Sequence, residues 1–121
     1  MRKFDSADYF KTAVEQLLIN GDNTLSVIEL YSLIPVGVEN SWKSNWSNIS
    51  LGFKYHFYLT DGKSVTVKWH SEDPDAACKF PGCNSGRIWT AQIRVGNRLL
   101  EYGDYPNWVR RASNETHIPL R

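Results

Sequence analysis

The chain has 121 residues, which is enough for one domain with a buried core and too few for two. Its formal net charge of +1 argues against broad electrostatic wrapping of nucleic acid, although a local basic cleft remains compatible with it. The sequence has no apolar run long enough to span a bilayer and no signal-peptide h-region at its N-terminus. We therefore expect a globular domain that does not bind membranes.

The first third of the chain predicts helices. Apolar residues recur at helical spacing after Asp5 or Ser6, either of which suits the N-cap, and Gly21 suits the C-terminal stop. A second, shorter helix is predicted over Asp22–Ile34, and the following segment, Val36–Ser50, is predicted to be an ordered loop. The apolar positions of the first helix are Phe10, Ala13, Val14, Leu17 and Leu18.

Two alternating strands are predicted on either side of Asp61 and Gly62. A two-residue loop at these positions would put the apolar sets of the two strands on opposite faces of the sheet. A three-residue loop that adds Thr60 pairs Phe57 with Val65 and keeps one face wholly apolar. We therefore predict the three-residue loop, with Gly62 in the left-handed conformation.

This register collects polar and basic side chains on the second face of the sheet. The stretch from 88 to 102 repeats the alternation around a tight turn at Gly96-Asn97. Most polar sheet faces are simply solvated, but so many cationic and titratable groups on one face favour a binding surface. The residues expected to share it are Lys54, His56, Tyr58, Thr66, Lys68, His70, Thr90, Gln92 and Arg94.

Together these elements predict an α+β fold. N-terminal helices, within about residues 5–34, are expected to pack on one face of a twisted antiparallel sheet of about four strands, within about residues 50–121. The whole chain, 1–121, is expected to form a single domain.

Two histidine segments lie far apart in the sequence, and histidine is the side chain whose ordinary pKa is nearest to neutral pH. His70 ends the second predicted strand beside an acidic turn that contains Asp73. His117 lies near the end of the chain, where Ile118–Leu120 could anchor it. Both are candidates for acid–base chemistry, but nothing in the intervening pattern brings them together.

Cys78 and Cys83 flank a turn-prone spacer. A local disulfide and two reduced thiols are both compatible with this spacing. A zinc site is disfavoured, because His70 and Glu72 match only the first half of a deaminase signature and the cysteines are too widely spaced for the second half.

The segment His70–Ala76 reads His-Ser-Glu-Asp-Pro-Asp-Ala and follows a predicted strand. It resembles the His-x-x-Asp-Pro-x-Ala motif of the type-30 polymorphic toxin domain of bacteria, and four further blocks follow the same order in both. The resemblance covers roughly residue 34 to the end. Glu115, where the family is expected to have Asp, and the insertion flanked by cysteines are departures from the pattern. The further blocks are 34–38, 84–89, 94–96 and 114–119.

The resemblance implies a ribonuclease of barnase-like or RelE-like architecture. Such domains form the C-terminal part of large secreted effectors and act in the cytoplasm of a target bacterium. A dedicated immunity protein holds them in check. RNA and a cognate immunity protein are therefore the expected partners, and we expect a monomer outside the immunity complex.

Metal-free RNA cleavage needs a base for the 2′-hydroxyl proton, an acid for the leaving 5′-oxygen and cations for the phosphorane-like transition state. We expect His70 and His117 to share the acid–base work, in either direction, and Arg94 to bind the phosphate oxygens in two-pronged fashion. No metal or cofactor is expected. Thr116 is expected to orient the scissile phosphate, and the substrate-binding candidates are Lys54, Lys68, Tyr58 and Asn114.

Two other functions stay open from the sequence. A metal-dependent nuclease would use carboxylates of the acidic turn together with both histidines as ligands, and EDTA would abolish its activity. A non-catalytic binding module would instead present tryptophans to a protein or carbohydrate partner. The ligands in the first case are His70, Asp73, Asp75 and His117, and the aromatic residues in the second are Trp42, Trp46, Trp69, Trp89 and Trp108.

Overall fold

The N-terminal apolar spacing produces the predicted helix. In the computed structural model, which describes residues 6–45 and 47–121, helix α1 spans Ala7–Asn20. Ser6 is its N-cap, and the Ser6 hydroxyl accepts a hydrogen bond from the backbone N–H of Tyr9 at 3.2 Å. Asp5, the alternative cap, and Trp46 lie outside the described residues. The α1 side chains buried against the sheet include Phe10, Val14 and Leu18.

The second helix, α2, is shorter than predicted and spans Val27–Ser32. Asp22 and Asn23 have φ angles of 54° and 65°, so the chain leaves the right-handed helical conformation there. The helix instead begins after Ser26, whose side chain forms a reciprocal capping box with Glu29. The described residues of the 36–50 segment form neither helix nor strand, which confirms the predicted loop.

The predicted hairpin register is confirmed. Strands β1 (Gly52–Tyr58) and β2 (Ser64–His70) are antiparallel, and Phe57 lies opposite Val65. Gly62 has a φ of 88°, the left-handed conformation that the three-residue loop requires. The apolar side chains of both strands therefore share one face, and their polar side chains share the other.

The sheet is antiparallel, as predicted, but it contains six strands within the described residues rather than about four. The strand order is β1-β2-β3-β4-β5, and β6 also pairs with β3. The two additional strands have three and two residues, too few for alternation to reveal them. The remaining strands are β3 (Thr90–Val95), β4 (Arg98–Glu101), β5 (Asn107–Val109) and β6 (Ile118–Pro119).

Two short helices connect β2 to β3. Helix α3 spans Pro74–Lys79 and helix α4 spans Asn84–Arg87. The Asp73 carboxylate caps α3 by accepting the backbone N–H of Asp75 at 3.0 Å. Asp73 and Pro74 therefore start α3, the first as its N-cap and the second in its first turn.

The core lies between α1, α2 and the apolar face of the sheet. The Phe10 ring meets the Phe57 ring edge to face, with centroids 6.1 Å apart. Trp69 is almost fully buried between Phe53 and Tyr55. The α+β prediction with helices on one sheet face is thus confirmed. Each helix within residues 6–45 and 47–121 is too short or too polar to cross a bilayer.

Candidate active site

The C-terminal tail docks on the sheet, which the sequence left undecided. Ile118 is fully buried and lies opposite Ala91 in the β3–β6 pair. The backbone of Leu25 donates to the Pro119 carbonyl at 3.1 Å, and the backbone of Arg121 donates to the Leu25 carbonyl at 3.0 Å. These bonds hold the tail on both sides, so His117 has a fixed place beside β3.

The His117 ring has a defined tautomer. Its Nδ1 lies 2.6 Å from the Ser113 carbonyl oxygen. A carbonyl only accepts hydrogen bonds, so Nδ1 carries the proton that it donates. In the neutral ring Nε2 is then an acceptor, and the Gln92 side-chain amide lies 3.3 Å from it. Nε2 is therefore the atom of His117 that is available for proton exchange on the polar face of the sheet.

His70 has the same arrangement. Its Nδ1 lies 2.8 Å from the Ser71 carbonyl oxygen, so Nδ1 is again the protonated nitrogen. The Trp42 ring lies beside the imidazole, with centroids 5.7 Å apart and the planes tilted by 35°. Gly52, which faces His70 across the hairpin, leaves room for Trp42, since a Cβ there would collide with the indole.

Burial lowers the pKa of His70 from its ordinary value. The positive charge of Lys68 and, more weakly, that of His117 lower it further, while the Ser71 carbonyl and the Asp73 carboxylate partly oppose the shift. His70 is consequently neutral at pH 7, with Nε2 unprotonated. The strand register brings the two residues, which are distant in sequence, to the same part of the sheet, because Thr90 of β3 lies opposite both His70 and Pro119.

A cluster of cations surrounds a pocket of about 300 Å³, and Gln92 in its lining contacts His117. Strand register places Lys54 opposite Lys68 and Thr66 opposite Arg94. Lys68 and Arg94 make no ion pair with a carboxylate anywhere in residues 6–45 and 47–121. The residues that line this pocket, which we call the cation pocket, are Lys54, Thr66, Lys68, Gln92, Arg94 and Leu99.

Burial lowers the pKa of Lys68, and the positive charges of Lys54 and Arg94 add to that effect. Like charges this close repel one another, so an anion in the pocket would be attracted by all three side chains. Arg94 is exposed and supplies a planar fork that suits phosphate. The cation pocket has the electrostatics of a phosphate-binding site.

Asn84 holds the tail in place, a role that is not evident from the sequence alone. Its backbone N–H donates to Asn114 Oδ1 at 2.8 Å, and its side-chain Nδ2 donates to the Tyr102 hydroxyl at 2.8 Å and to the His117 carbonyl at 3.2 Å. The side chain is buried. An asparagine in a loop has too many ordinary roles for its sequence position to reveal this one.

Thr116 is fully buried and does not line the cation pocket. Its hydroxyl donates to the Ser113 carbonyl and accepts from the Ser113 backbone N–H, both at 2.9 Å. These bonds close the single 3₁₀ turn, Asn114–Thr116, that precedes His117. The geometry thus suits Thr116 for positioning His117 through the backbone, whereas Asn114 is exposed beside the histidine.

His56 and Tyr58 lie on the polar face but at its outer edge. The two rings meet edge to face, with centroids 5.1 Å apart. Tyr58 is 62% exposed, and neither residue lines the cation pocket. Of the predicted substrate-binding residues, Lys54 and Lys68 therefore lie closest to the candidate phosphate site.

The four ligands of the metal-dependent alternative do not converge on one site. Within the described ranges no three His, Cys, Asp or Glu side chains form a group able to hold a metal ion, so His70, Asp73, Asp75 and His117 do not make a ligand set. Cys78 and Cys83 are not bonded to each other. Among the tryptophans, Trp69 is buried in the core, Trp108 donates to Glu15 on α1 at 2.8 Å, and Trp46 lies outside the described residues.

The site thus combines two imidazoles, each with Nδ1 bound to a backbone carbonyl, and a pocket lined by three cations. The comparisons with known proteins add no family to this description. No family model, curated protein or solved structure matches the chain.

Proposed function

We propose that the chain is a metal-independent endoribonuclease. The observation that carries this proposal is the presence of two histidines with available Nε2 atoms on the same sheet face as the cation pocket. Acid–base groups supply proton transfer, and a cluster of cations suits a phosphodiester. An RNA strand contains both the reacting hydroxyl and the phosphate that this combination requires.

His70 is the general base in this mechanism, because its lowered pKa keeps Nε2 unprotonated at neutral pH. It removes the proton of the ribose 2′-hydroxyl, and the 2′-oxygen attacks the adjacent phosphorus. The bond from phosphorus to the 5′-oxygen breaks, and His117 donates a proton to that oxygen. The products are a 2′,3′-cyclic phosphate and a free 5′-hydroxyl.

Lys54, Lys68 and Arg94 bind the non-bridging phosphate oxygens, on which negative charge increases as the 2′-oxygen attacks. Gln92 connects the phosphate-binding cations to the acid–base pair, since it lines the cation pocket and contacts His117 Nε2. Thr116 and Asn84 act through the backbone of the tail and hold the His117 ring toward the pocket.

The biological setting is the second part of the proposal and rests on the sequence resemblance. The domain would be the toxic part of a secreted bacterial effector, would cleave RNA in the cytoplasm of a target cell, and would be neutralised by an immunity protein. A barnase-like or RelE-like architecture belongs to the same proposal. Outside the immunity complex we expect a monomer.

The decisive experiment is incubation of the purified domain with total RNA, with and without EDTA, followed by chemical mapping of the fragment ends. We expect cleavage that EDTA does not affect and that leaves 2′,3′-cyclic phosphates. His56→Ala is the matched control, because it removes an imidazole from the same face without touching the cation pocket. Cleavage that requires a divalent ion, or unchanged toxicity in a His70→Ala, His117→Ala double variant, would contradict the proposal.

A further inference from the structure

A second pocket, of about 350 Å³, lies on the other side of His117. Its lining includes Phe80, Cys83, Ala112 and Asn114 together with His117. His117 therefore connects the two sites, since it lines this pocket and its Nε2 lies 3.3 Å from Gln92 in the lining of the cation pocket. A ligand bound to the cation pocket could continue past His117 into this second pocket.

The chemistry of the second pocket differs from that of the first. No Lys, Arg, Asp or Glu side chain of the described residues lines it, and its walls are mainly apolar. Phe80, at the end of α3, is 65% exposed and presents its ring to solvent. An exposed aromatic ring beside a phosphate-type site is a platform on which a nucleobase can stack.

Asn114 adds a polar group with a fixed orientation. Its Oδ1 accepts the backbone N–H of Asn84, so the amide cannot turn freely. Its Nδ2 has no hydrogen-bond partner in the part of the chain that the structure describes. The pocket therefore combines an aromatic platform with an amide donor of defined direction, and its volume is at the lower end of the range for small-ligand sites.

We propose that this pocket binds the nucleobase of the nucleotide at the cleavage site. The proposal rests on the proposed ribonuclease function and adds to it the means of substrate selection. Phe80 stacks on the face of the base, and Asn114 Nδ2 donates to an acceptor on its edge. Because ribose connects base and phosphate, a base in this pocket brings its own 3′-phosphate toward the cations on the other side of His117.

The test uses DNA oligonucleotides that contain a single ribonucleotide, prepared with each of the four bases and with an abasic ribose. In the wild-type protein we expect kcat/KM to be at least about tenfold higher for the preferred base than for the abasic ribose, because base–aromatic stacking is lost in the latter. Phe80→Ala should lower kcat/KM for the preferred base by about tenfold. It should leave kcat/KM for the abasic substrate unchanged. Phe80→Trp should restore most of the loss.

Two further variants separate stacking from edge recognition and from general damage. Asn114→Asp keeps an oxygen that accepts the Asn84 N–H but removes the donor, so it should change the ranking of the four bases. Tyr9→Ala is the matched control, because Tyr9 is 64% exposed on α1, compared with 65% for Phe80. Tyr9→Ala should leave kcat/KM unchanged for every substrate.

The outcomes distinguish the two proposals. Equal cleavage of base-containing and abasic substrates by the wild-type protein, or an unchanged preference in Phe80→Ala, would overturn the nucleobase pocket and leave the ribonuclease proposal intact. Absence of cleavage of every substrate by folded protein would overturn both.

Discussion

The two histidines are held by different kinds of structure. His70 belongs to β2, a central strand of seven residues whose backbone is paired on both sides. His117 follows a single 3₁₀ turn, and side chains such as Asn84 and Thr116 hold it through the backbone. Backbone pairing therefore sets the position of His70, which with β2 forms what we call the strand half of the site. The position of His117, which with residues 113–116 forms the tail half, depends in addition on a few side-chain hydrogen bonds.

The largest expected effect is the loss of either imidazole. His70→Ala and His117→Ala should each lower kcat by about 10²–10⁴-fold, because each removes one proton-transfer group. The double variant should be little worse than the single ones, since residues that act as a unit do not contribute additively. Single-turnover cleavage of a defined RNA measures this, with His56→Ala as the control. A large loss for one histidine alone would mean that the two halves do not act together.

The next largest effect is expected in the tail half of the site, where Asn84 supports His117. Asn84→Ala removes the side-chain donors to Tyr102 and to the His117 carbonyl, so it should lower the free energy of unfolding by about 1–3 kcal/mol. It should also lower kcat at least about tenfold, because the His117 ring is no longer held in place. Urea denaturation gives the first value, and the His117 ring signals in NMR report the displacement.

Asn48→Ala is the control for this prediction. Among the residues that the structure describes, the Asn48 amide bonds only the exposed Asp75 carboxylate, at 3.3 Å, far from the tail in sequence. It should change neither stability nor the His117 signals. An Asn84→Ala protein with reduced stability but unchanged His117 signals would show that Asn84 supports the fold and does not position the histidine.

The same contrast explains what the sequence could predict. Alternation along β1, β2 and β3 reports which face each side chain occupies, so the shared face of Lys68, His70 and Arg94 followed from local pattern and loop length. The docking of His117 depends on the pairing of Ala91 with Ile118, 27 residues further along the chain. Local periodicity carries no information about such a contact. Strands of two or three residues are also too short to show a periodic pattern.

Helices α3 and α4, which connect β2 to β3, were not predicted from the sequence for a related reason. α3 and α4 have six and four residues and bury little apolar surface, so no helical stripe identifies them. Their positions depend on packing, since a Cβ on Gly86 would meet the backbone of Ala77 at 2.7 Å. Asn84 and Phe80, which border the tail half of the site, therefore could not be assigned a role from the sequence.

The strand half predicts a specific pH dependence. Lys68 lowers the pKa of His70, so Lys68→Met should raise it and move the acidic limb of the kcat/KM profile toward higher pH. Lys63→Met, on the exposed hairpin turn, is the control. The profile is measured between pH 4 and 8 with a short RNA. An acidic limb that stays in place would mean that His70 is not the base.

The free energy of unfolding should depend on pH through the same ionisation of His70. The pKa of His70 is lower in the folded protein than its ordinary value of 6.5, so the unfolded chain binds the proton more readily. The contribution of His70 to stability is therefore lost as the pH falls below about 6.5 toward the folded pKa. His70→Asn should remove this part of the dependence in urea denaturation curves.

The smallest effect is expected where the two halves meet. Thr90 lies opposite His70 on one side and Pro119 on the other, and it is 1% exposed. Its hydroxyl has no hydrogen-bond partner among residues 6–45 and 47–121. A buried hydroxyl without a partner destabilises the fold, so Thr90→Val, which keeps the shape, should leave the free energy of unfolding unchanged or raise it by about 1 kcal/mol. Thr66→Val, at a half-buried position on the same face, is the control for the change of residue type. A clear loss of stability in Thr90→Val alone would mean that the Thr90 hydroxyl has a partner at this junction and helps to hold the tail half on the strand half.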